Sequence, residues 1–287
     1  MWDTIAKSIS EATGEPFTPD NRRSVSGGCI NQGSAVSDGQ RTFFVKFNQA
    51  SRLDMFEAEA VGLQQMADTQ TIRVPRPICT GVADASAYIV LEWLDIGGSK
   101  TSVAEKMGRQ LAQMHRKGTR DRFGFDCDNT IGSTPQPNPW TADWGEFFAQ
   151  HRIQFQLDLA RRNGGSFEGC DRLVDRIPEL LAGYNPQPSL LHGDLWGGNA
   201  SATRDGEPVL FDPAAYYGDR EADIAMTELF GGFGSAFYRA YNDEWPLDAG
   251  YERRKPLYNL YHILNHFNIF GGGYASQAQR LIRQVLA

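Results

Sequence analysis

A short polar segment over residues 190–199 carries the residue types that a phosphoryl-transfer site needs. Two aliphatic residues lead into a turn, in which Asp194 lies five residues before Asn199. A second short apolar run then leads to Asp212, thirteen residues after Asn199. Phosphoryl transfer requires an Asp that orients the attacking hydroxyl, followed by an Asn and an Asp that bind Mg²⁺ on the phosphates. The order and spacing of these three residues therefore predict phosphoryl-transfer chemistry. The separation of Asp194 and Asn199 equals that in the kinase catalytic loop, with Gly193 at the place of the usual Arg.

Lys46 and Glu59 are the second candidate pair. Lys46 ends a run of strand-forming residues, where a buried lysine is costly unless an acidic group neutralises it. The following segment, residues 53–66, has helical periodicity, and Glu59 lies on its apolar stripe with Phe56 and Leu63. In kinases, a lysine on the third strand and a glutamate on the next helix together hold the α- and β-phosphates. We therefore expect a Lys46–Glu59 ion pair that binds phosphate, rather than a solvated lysine beside a rim glutamate.

A glycine turn precedes Lys46 between two predicted strands and contains Gly27 and Gly28. Without a Cβ, backbone N–H groups in such a turn can approach phosphate oxygens. Glycines in hairpins often only form the turn, so this signal is weak by itself.

A buried strand over residues 87–94 leads into a polar segment that predicts a lobe boundary. In a kinase-like fold, the main chain of Glu92, Trp93 and Leu94 would bind the adenine edge. We therefore predict an N-terminal ATP-binding lobe over residues 1–94 and a catalytic and acceptor-binding lobe over residues 95–287.

The composition of the 287-residue chain is that of a globular protein, with 41% hydrophobic and 22% charged residues. A net charge of −7 argues against nucleic-acid binding, which normally requires a basic face. The N-terminus has no secretory signal, and no stretch approaches the length of a membrane span. The four cysteines are scattered without metal-ligand spacing. We expect a cytoplasmic enzyme, a monomer or dimer, with no membrane or nucleic-acid partner.

The region beyond Asp212 contains candidates for support and for acceptor binding. Asp223 lies one turn into a predicted helix, where it is expected to brace the catalytic loop by accepting backbone hydrogen bonds. Near the C-terminus, polar side chains alternate with aromatic ones, which favours either a sugar-like acceptor site or a buried polar network. The candidate substrate residues are Trp196, Tyr216, Tyr217, Asp219 and His266.

Several of these segments resemble the fructosamine kinase (ketosamine 3-kinase) family. The similar segments run in order from about residue 20 to the end of the chain. They are SGGCIN at 26–31, VK at 45–46, MFEAE at 55–59, HGDLWGGN at 192–199, DPAAYYGDREAD at 212–223 and NHFNIFG at 265–271. Trp196 and the paired tyrosines distinguish this family from the wider aminoglycoside and choline kinase group.

The resemblance implies an α+β, protein-kinase-like fold with two lobes: an N-terminal antiparallel sheet with one main helix, and a larger, mostly helical C-terminal lobe. It also implies ATP-dependent, Mg²⁺-assisted phosphorylation of the 3-hydroxyl of a ketoamine, a ribulosamine or fructosamine on a small amine or a protein lysine. The 3-phosphate is unstable, so deglycation follows. By role, Asp194 would act on the acceptor hydroxyl, Asn199 and Asp212 would bind Mg²⁺, and Lys46 would hold the phosphates. Because Pro213 follows Asp212, a mobile switch there is not expected.

Two alternatives remain open at this stage. A kinase of the same fold could phosphorylate an aminoglycoside, choline or a similar alcohol instead. A binding module without catalysis is the other alternative, although the joint presence of Lys46, Asp194, Asn199 and Asp212 argues against it.

Overall fold

The computed structural model describes residues 1–25 and 31–287, which adopt an α+β fold. The N-terminal part contains an antiparallel sheet of five described strands in the order β1-β2-β3-β5-β4. Its elements are α1 (Trp2–Thr13), β1 (Asn21–Val25), β2 (Gln32–Ser37), β3 (Thr42–Gln49), α2 (Leu53–Asp68), β4 (Pro77–Ala83) and β5 (Ser86–Glu92).

The two faces of this sheet are buried by different helices, because side chains alternate along each strand. On one face, Ile5 and Ile9 of α1 pack in a cluster with Val45 and Val90. On the other face, Ile89 of β5 joins the main core, together with apolar residues of α2. The register places Lys46 of β3 between Gly33 and Ile89 and therefore on the α2 side.

The remainder of the chain is mostly helical, with short antiparallel strand pairs β6–β7, β8–β11 and β9–β10. A π-helical segment, Ala149–Gln154, lies between α4 (Trp144–Phe148) and α5 (Phe155–Arg162). The elements are α3 (Lys100–Lys117), β6 (Asn129–Ile131), β7 (Thr134–Gln136), α4 (Trp144–Phe148), α5 (Phe155–Arg162), α6 (Cys170–Leu180), β8 (Ser189–Leu191), β9 (Ala200–Ala202), β10 (Pro208–Leu210), β11 (Tyr216–Gly218), α7 (Glu221–Leu229), α8 (Ser235–Glu244), α9 (Tyr251–Phe270) and α10 (Tyr274–Leu286).

The segment between β5 and α3 joins the sheet to the helical part and packs tightly on β9. The N–H groups of Gly97 and Gly98 both donate to the carbonyl of Ala202, at 3.1 and 3.0 Å. A Cβ at Gly98 would lie 2.1 Å from the carbonyl oxygen of Thr203, so only glycine fits there. The predicted lobe boundary between residues 94 and 95 falls at the start of this segment and stays a prediction. Across both described ranges, every helix is too short or too polar to cross a bilayer.

His262 of α9 provides a test of how burial controls stability at acid pH. Burial lowers the pKa of His262 to about 3, against an ordinary value of 6.5. The folded protein therefore keeps this ring neutral, whereas the unfolded chain binds a proton below about pH 6.5. We expect this residue alone to lower the free energy of unfolding by about 1.4 kcal/mol per pH unit as the pH falls from about 6.5 to about 4.

The measurement is urea unfolding of the wild type and of His262→Phe at a series of pH values. The variant keeps an aromatic ring but cannot be protonated, so its stability should fall less steeply on acidification. The other four histidines also have lowered pKa values and remain in both proteins, which makes the difference in slope specific to residue 262. Parallel pH profiles for the two proteins would contradict the expectation.

Candidate active site

The catalytic loop predicted at 192–199 connects β8 to β9 and turns sharply at Gly193. Gly193 has φ of +80°, and a Cβ on it would lie 2.0 Å from the carbonyl oxygen of Ala214. An L side chain would therefore be both strained and sterically blocked at this position. The close approach also lets the N–H of Ala214 donate to the carbonyl of His192 at 2.9 Å. The loop and the segment after Asp212 are thus locked to each other.

Asp223 of α7 fixes the catalytic loop through hydrogen bonds to its main chain. Its carboxylate accepts the N–H groups of His192 at 2.7 Å and Gly193 at 2.9 Å, so the predicted bracing contact is confirmed. Nε2 of the buried His115 also donates to it at 3.1 Å, and the Tyr241 hydroxyl contacts Nδ1 of His115 at 2.8 Å. Burial by itself would raise the pKa of Asp223, but these donors lower it below the ordinary value. The brace therefore stays ionised at neutral pH.

Asp194 and Asn199 contact each other directly at the open side of the loop. Nδ2 of Asn199 donates to the main-chain carbonyl of Asp194 at 2.8 Å and to its Oδ2 at 3.0 Å. Burial raises the pKa of Asp194 to about 7, against the opposing effect of the Asn199 hydrogen bond. A carboxylate whose pKa lies near neutrality is suited to accept a proton from a hydroxyl at physiological pH.

Lys46 joins the sheet to the catalytic segment through two acidic groups. Its Nζ lies 2.5 Å from Oε1 of Glu59 on α2 and 2.6 Å from Oδ1 of Asp212. The predicted Lys46–Glu59 ion pair is therefore present, and both of its side chains are at most 10% exposed. Burial would lower the pKa of Lys46, but the two carboxylates raise it above the ordinary value. The ammonium group is consequently charged and held at a fixed position in the cleft.

Asp212 has a backbone conformation that sequence reasoning did not find. Its φ is +57°, which is uncommon outside glycine and costs free energy. The flanking chain is fixed by hydrogen bonds from the N–H of Phe211 to the Asn199 carbonyl, at 3.1 Å, and between Nε2 of His192 and the Phe211 carbonyl, at 3.0 Å. These contacts hold the Asp212 carboxylate toward Lys46 and the catalytic loop.

The side-chain oxygen atoms of Asn199 and Asp212 that are not used in hydrogen bonds are suited to bind a magnesium ion. Asn199 uses its amide nitrogen in hydrogen bonds, and within the described ranges its Oδ1 has no protein donor. Oδ1 of Asp212 accepts a hydrogen bond from Nζ of Lys46, and the Asp212 side chain is 39% exposed. Mg²⁺ prefers such hard oxygen ligands and usually binds through one or two protein groups plus substrate phosphates. Residues 1–25 and 31–287 contain no cluster of three or more His, Cys, Asp or Glu able to form an all-protein metal cage.

The predicted adenine-binding residues follow the end of β5. Glu92 is turned back into the N-terminal part: its N–H donates to the Arg76 carbonyl at 2.8 Å, and its carboxylate pairs with Arg73. The Trp93 ring lies under the guanidinium of Arg23, 5.0 Å from its centroid, beside a cleft of about 200 Å³ on the Lys46 face of the sheet. The adenine role of Glu92, Trp93 and Leu94 stays a prediction, and Gly27 and Gly28 lie outside the described residues.

The sequence profile of the fructosamine kinase family matches residues 1–287, the whole chain. The chain belongs to the fructosamine kinase family. It is 56% identical over 285 residues to a Synechocystis protein named as a probable ketoamine kinase, covering 99% of this chain and 97% of that protein. It is 47% identical over 268 residues to the chloroplastic protein-ribulosamine 3-kinase of Arabidopsis thaliana, covering 92% and 82%.

Solved structures agree with this family assignment and confirm the fold. A presumed fructosamine-3-kinase of Haemophilus somnus superposes with a TM-score of 0.93 at 35% identity, covering 100% of this chain and 98% of that one. An aminoglycoside phosphotransferase in ternary complex with ADP and hygromycin B superposes with a TM-score of 0.64 at 16% identity, covering 99% of each chain. At that identity the second likeness shows the fold alone. The predicted α+β, protein-kinase-like fold is therefore confirmed.

Three of the predicted substrate residues of this kinase lie in its interior. Tyr216 and Tyr217 are each 2% exposed, and Asp219 is fully buried. The Tyr216 ring packs under the guanidinium of Arg152, at 4.0 Å from its centroid, and Asp219 accepts hydrogen bonds from the hydroxyls of Tyr184 and Tyr258. The Tyr217 hydroxyl and the Asp219 carboxylate are hydrogen-bonded inside the protein, and substrate contact by these three residues stays a prediction. Tyr216 and Tyr217 lie on β11, which pairs with β8 directly before the catalytic loop.

Trp196 and His266 have more open positions in the kinase. Trp196 is 41% exposed, and its ring covers Gly198, where a Cβ would lie 2.2 Å from the indole. His266 is half-buried among aromatic side chains and donates from Nδ1 to the His262 carbonyl at 2.8 Å. Its aromatic neighbours are Phe230, Phe270 and Tyr274. Both residues remain available as candidates for acceptor binding.

Two buried amides that hold the segment after Asp212 were not identified from the sequence. Nδ2 of Asn129 on β6 donates to the Ala215 carbonyl at 2.7 Å, and Nε2 of Gln136 on β7 donates to the Ala214 carbonyl at 3.1 Å. These bonds satisfy main-chain oxygens two and three residues after Asp212, which would otherwise be buried without donors. In the sequence, the only indication was a pair of amide residues at the two ends of a short hairpin. Their hydrogen-bond partners lie about 80 residues away in the chain.

Proposed function

We propose that this protein is an ATP-dependent ketoamine 3-kinase that phosphorylates the 3-hydroxyl of ribulosamines or fructosamines. The observation that carries the proposal is that Lys46, Glu59 and Asp212 form one ion-paired group, linked through Asn199 to Asp194. Membership of the fructosamine kinase family supports the ketoamine as acceptor, and the names of the ketoamine and ribulosamine kinase relatives support it further.

We propose a role for each residue of this group, and its contacts support that role. Lys46, charged and held by Glu59, attracts the phosphate oxygens of the nucleotide. Asn199 and Asp212 provide oxygen ligands for Mg²⁺, which when bound neutralises negative charge on the phosphates. Asp194 accepts a hydrogen bond from the sugar hydroxyl and orients it toward the γ-phosphate of ATP. It takes the hydroxyl proton as the sugar oxygen bonds the γ-phosphorus, while the bond from that phosphorus to the β–γ bridging oxygen breaks and ADP leaves. Asp223 keeps the loop in the geometry that this proton transfer requires.

Trp196 is our candidate for the sugar-binding surface of this site. It follows Asp194 by two residues, and its large exposed ring lies over Gly198 rather than in the core. The apolar face of a sugar packs well on such a ring, while its hydroxyl groups remain free to hydrogen-bond. His266 and its aromatic neighbours are the candidate surface for the amine-bearing part of the substrate, a small molecule or a protein lysine.

The decisive experiment measures ATP-dependent phosphate transfer by the purified protein to ribulosyl-lysine and fructosyl-lysine, beside choline and an aminoglycoside. We expect transfer to at least one ketoamine with a kcat/KM at least about tenfold above that for choline or the aminoglycoside, a margin of about 1.4 kcal/mol in transition-state binding. The product should carry phosphate on O3, which phosphorus–proton coupling in an NMR spectrum identifies. Preference for choline or the aminoglycoside would show that the acceptor assignment is wrong.

A further inference from the structure

Helix α2, which carries Glu59, is fastened to the C-terminal part of the chain by the amide of Gln65. Oε1 of Gln65 accepts the hydroxyl of Tyr217 on β11 at 2.8 Å. Nε2 of the same amide donates to Oδ2 of Asp126 at 3.0 Å. The first bond is partly buried and the second is exposed to solvent, so the Tyr217 bond contributes more. One side chain therefore links α2 to two separate segments beyond the predicted lobe boundary.

Gly62 brings the same helix into direct contact with the segment after Asp212. A Cβ at Gly62 would lie only 2.9 Å from the Cβ of Ala215, so a larger residue would push the helix away. A glycine inside a helix costs about 1 kcal/mol relative to alanine, and here it permits the close approach. Glu59 and Gly62 are three residues apart, so they lie on the same face of α2. The packing contact between Gly62 and Ala215 therefore lies one helical turn from the Glu59 carboxylate that binds Lys46.

The anchors and the ion pair are mechanically connected because α2 is a continuous helix from Leu53 to Asp68. A shift of α2 would withdraw Glu59 from Lys46, whose Nζ lies 2.5 Å from the carboxylate. In kinases that are regulated, the position of this helix controls whether the lysine–glutamate pair forms. Here the helix is held by Gln65 and by close packing at Gly62, all within the fold itself.

We infer that Gln65 is a positioning residue: through Tyr217 and Asp126 it keeps α2 seated, so that Glu59 holds Lys46 ready for nucleotide phosphates without an activating signal. This inference rests on the proposed function, because it assigns Lys46 to phosphate binding. It adds a residue that contacts neither nucleotide nor acceptor.

The test compares Gln65→Leu with Gln64→Leu in titrations with AMP-PNP and Mg²⁺ by calorimetry. Gln64 is the matched control, because it lies next to Gln65 but its amide bonds Asp68 of the same helix. We expect Gln65→Leu to raise the Kd for the nucleotide between about twofold and thirtyfold, the range of indirect coupling effects. Gln64→Leu should leave the Kd unchanged. Tyr217→Phe removes one hydroxyl from the anchor and should raise the Kd in the same direction.

A double-mutant cycle separates positioning from a general loss of structure. If Gln65 acts through Glu59, adding Gln65→Leu to Glu59→Gln should not raise the Kd further. Additive effects, or a wild-type Kd in a folded Gln65→Leu protein, would overturn the inference. Thermal unfolding shows whether each variant is folded. If Gln65→Leu does not fold, Tyr217→Phe replaces it in the double-mutant cycle with Glu59→Gln. Failure of the wild type to bind AMP-PNP would instead contradict the proposed function.

Discussion

Replacing Asp194 by Asn is expected to lower kcat for phosphate transfer to a ketoamine by about 10²- to 10⁴-fold, the usual contribution of a positioned acid–base group. The amide has nearly the same shape, but it cannot take the proton of the sugar hydroxyl. Binding of AMP-PNP should change little, because Lys46, Asn199 and Asp212 all remain. The measurements are steady-state kinetics with ribulosyl-lysine and calorimetric titration with the nucleotide.

Asp175→Asn is the matched control for this change. Asp175 lies on the exposed face of α6. Its replacement by Asn is the same chemical change as in Asp194→Asn, made away from the cleft. Its kinetics should equal those of the wild type. Near-full activity of Asp194→Asn would mean that another group activates the hydroxyl, and the mechanism proposed above would be wrong.

Replacing Lys46 by Met is the second change with a large expected effect. It should abolish measurable AMP-PNP binding, because the variant loses the cation that attracts the phosphates. It should also lower the free energy of unfolding by about 3–5 kcal/mol, the usual cost of leaving one member of a buried ion pair without its partner. The buried group that loses its partner is Glu59, whose side chain is 10% exposed, whereas Asp212 is 39% exposed and can be solvated.

The stability loss of Lys46→Met should depend on pH. Burial already raises the pKa of Glu59 above its ordinary 4.5, and the charge of Lys46 opposes this rise. Without Lys46 the pKa rises further, so the folded variant favours protonated Glu59. A raised carboxyl pKa stabilises the folded state at low pH and less so as pH increases above the unfolded value. The loss should therefore be smaller at about pH 5 than at about pH 8, as measured by urea unfolding.

The double variant Lys46→Met/Glu59→Met separates the two roles of the lysine. Because it removes both members of the buried pair, it should recover much of the stability that Lys46→Met loses. It should not recover nucleotide binding, since the phosphates still lack their cation. Wild-type nucleotide affinity in Lys46→Met would contradict the role assigned to Lys46.

Local patterns were sufficient for several features of the site. Strand alternation at Lys46 and the helical stripe containing Glu59 predicted their ion pair, which is present at 2.5 Å. The position of Asp223 one turn into a helix predicted its bonds to the catalytic loop, which are also present. Both predictions succeeded because a buried charge or a buried N–H group must find a partner, and the sequence left few candidates.

The same patterns could not predict the partners of residues whose surroundings come from distant segments. Tyr216, Tyr217 and Asp219 follow the catalytic segment in the sequence, and all three are buried. Tyr217 finds Gln65, 152 residues away, and Asp219 finds Tyr258, 39 residues away. Sequence proximity to Asp212 could not reveal these partners, because each depends on how whole helices pack.

The sequence by itself determined the chemistry of this protein. The types and spacing of Lys46, Asp194, Asn199 and Asp212 predict phosphoryl transfer, and neighbouring motifs identify the fructosamine kinase family. Only the tertiary structure decided which side chains face the cleft, that Asp212 has a left-handed backbone, and that Gln65 and Gly62 seat α2 against the C-terminal part. The physical reason is that backbone periodicity acts over a few residues, whereas burial and hydrogen-bond partners are set by packing between segments far apart in the chain.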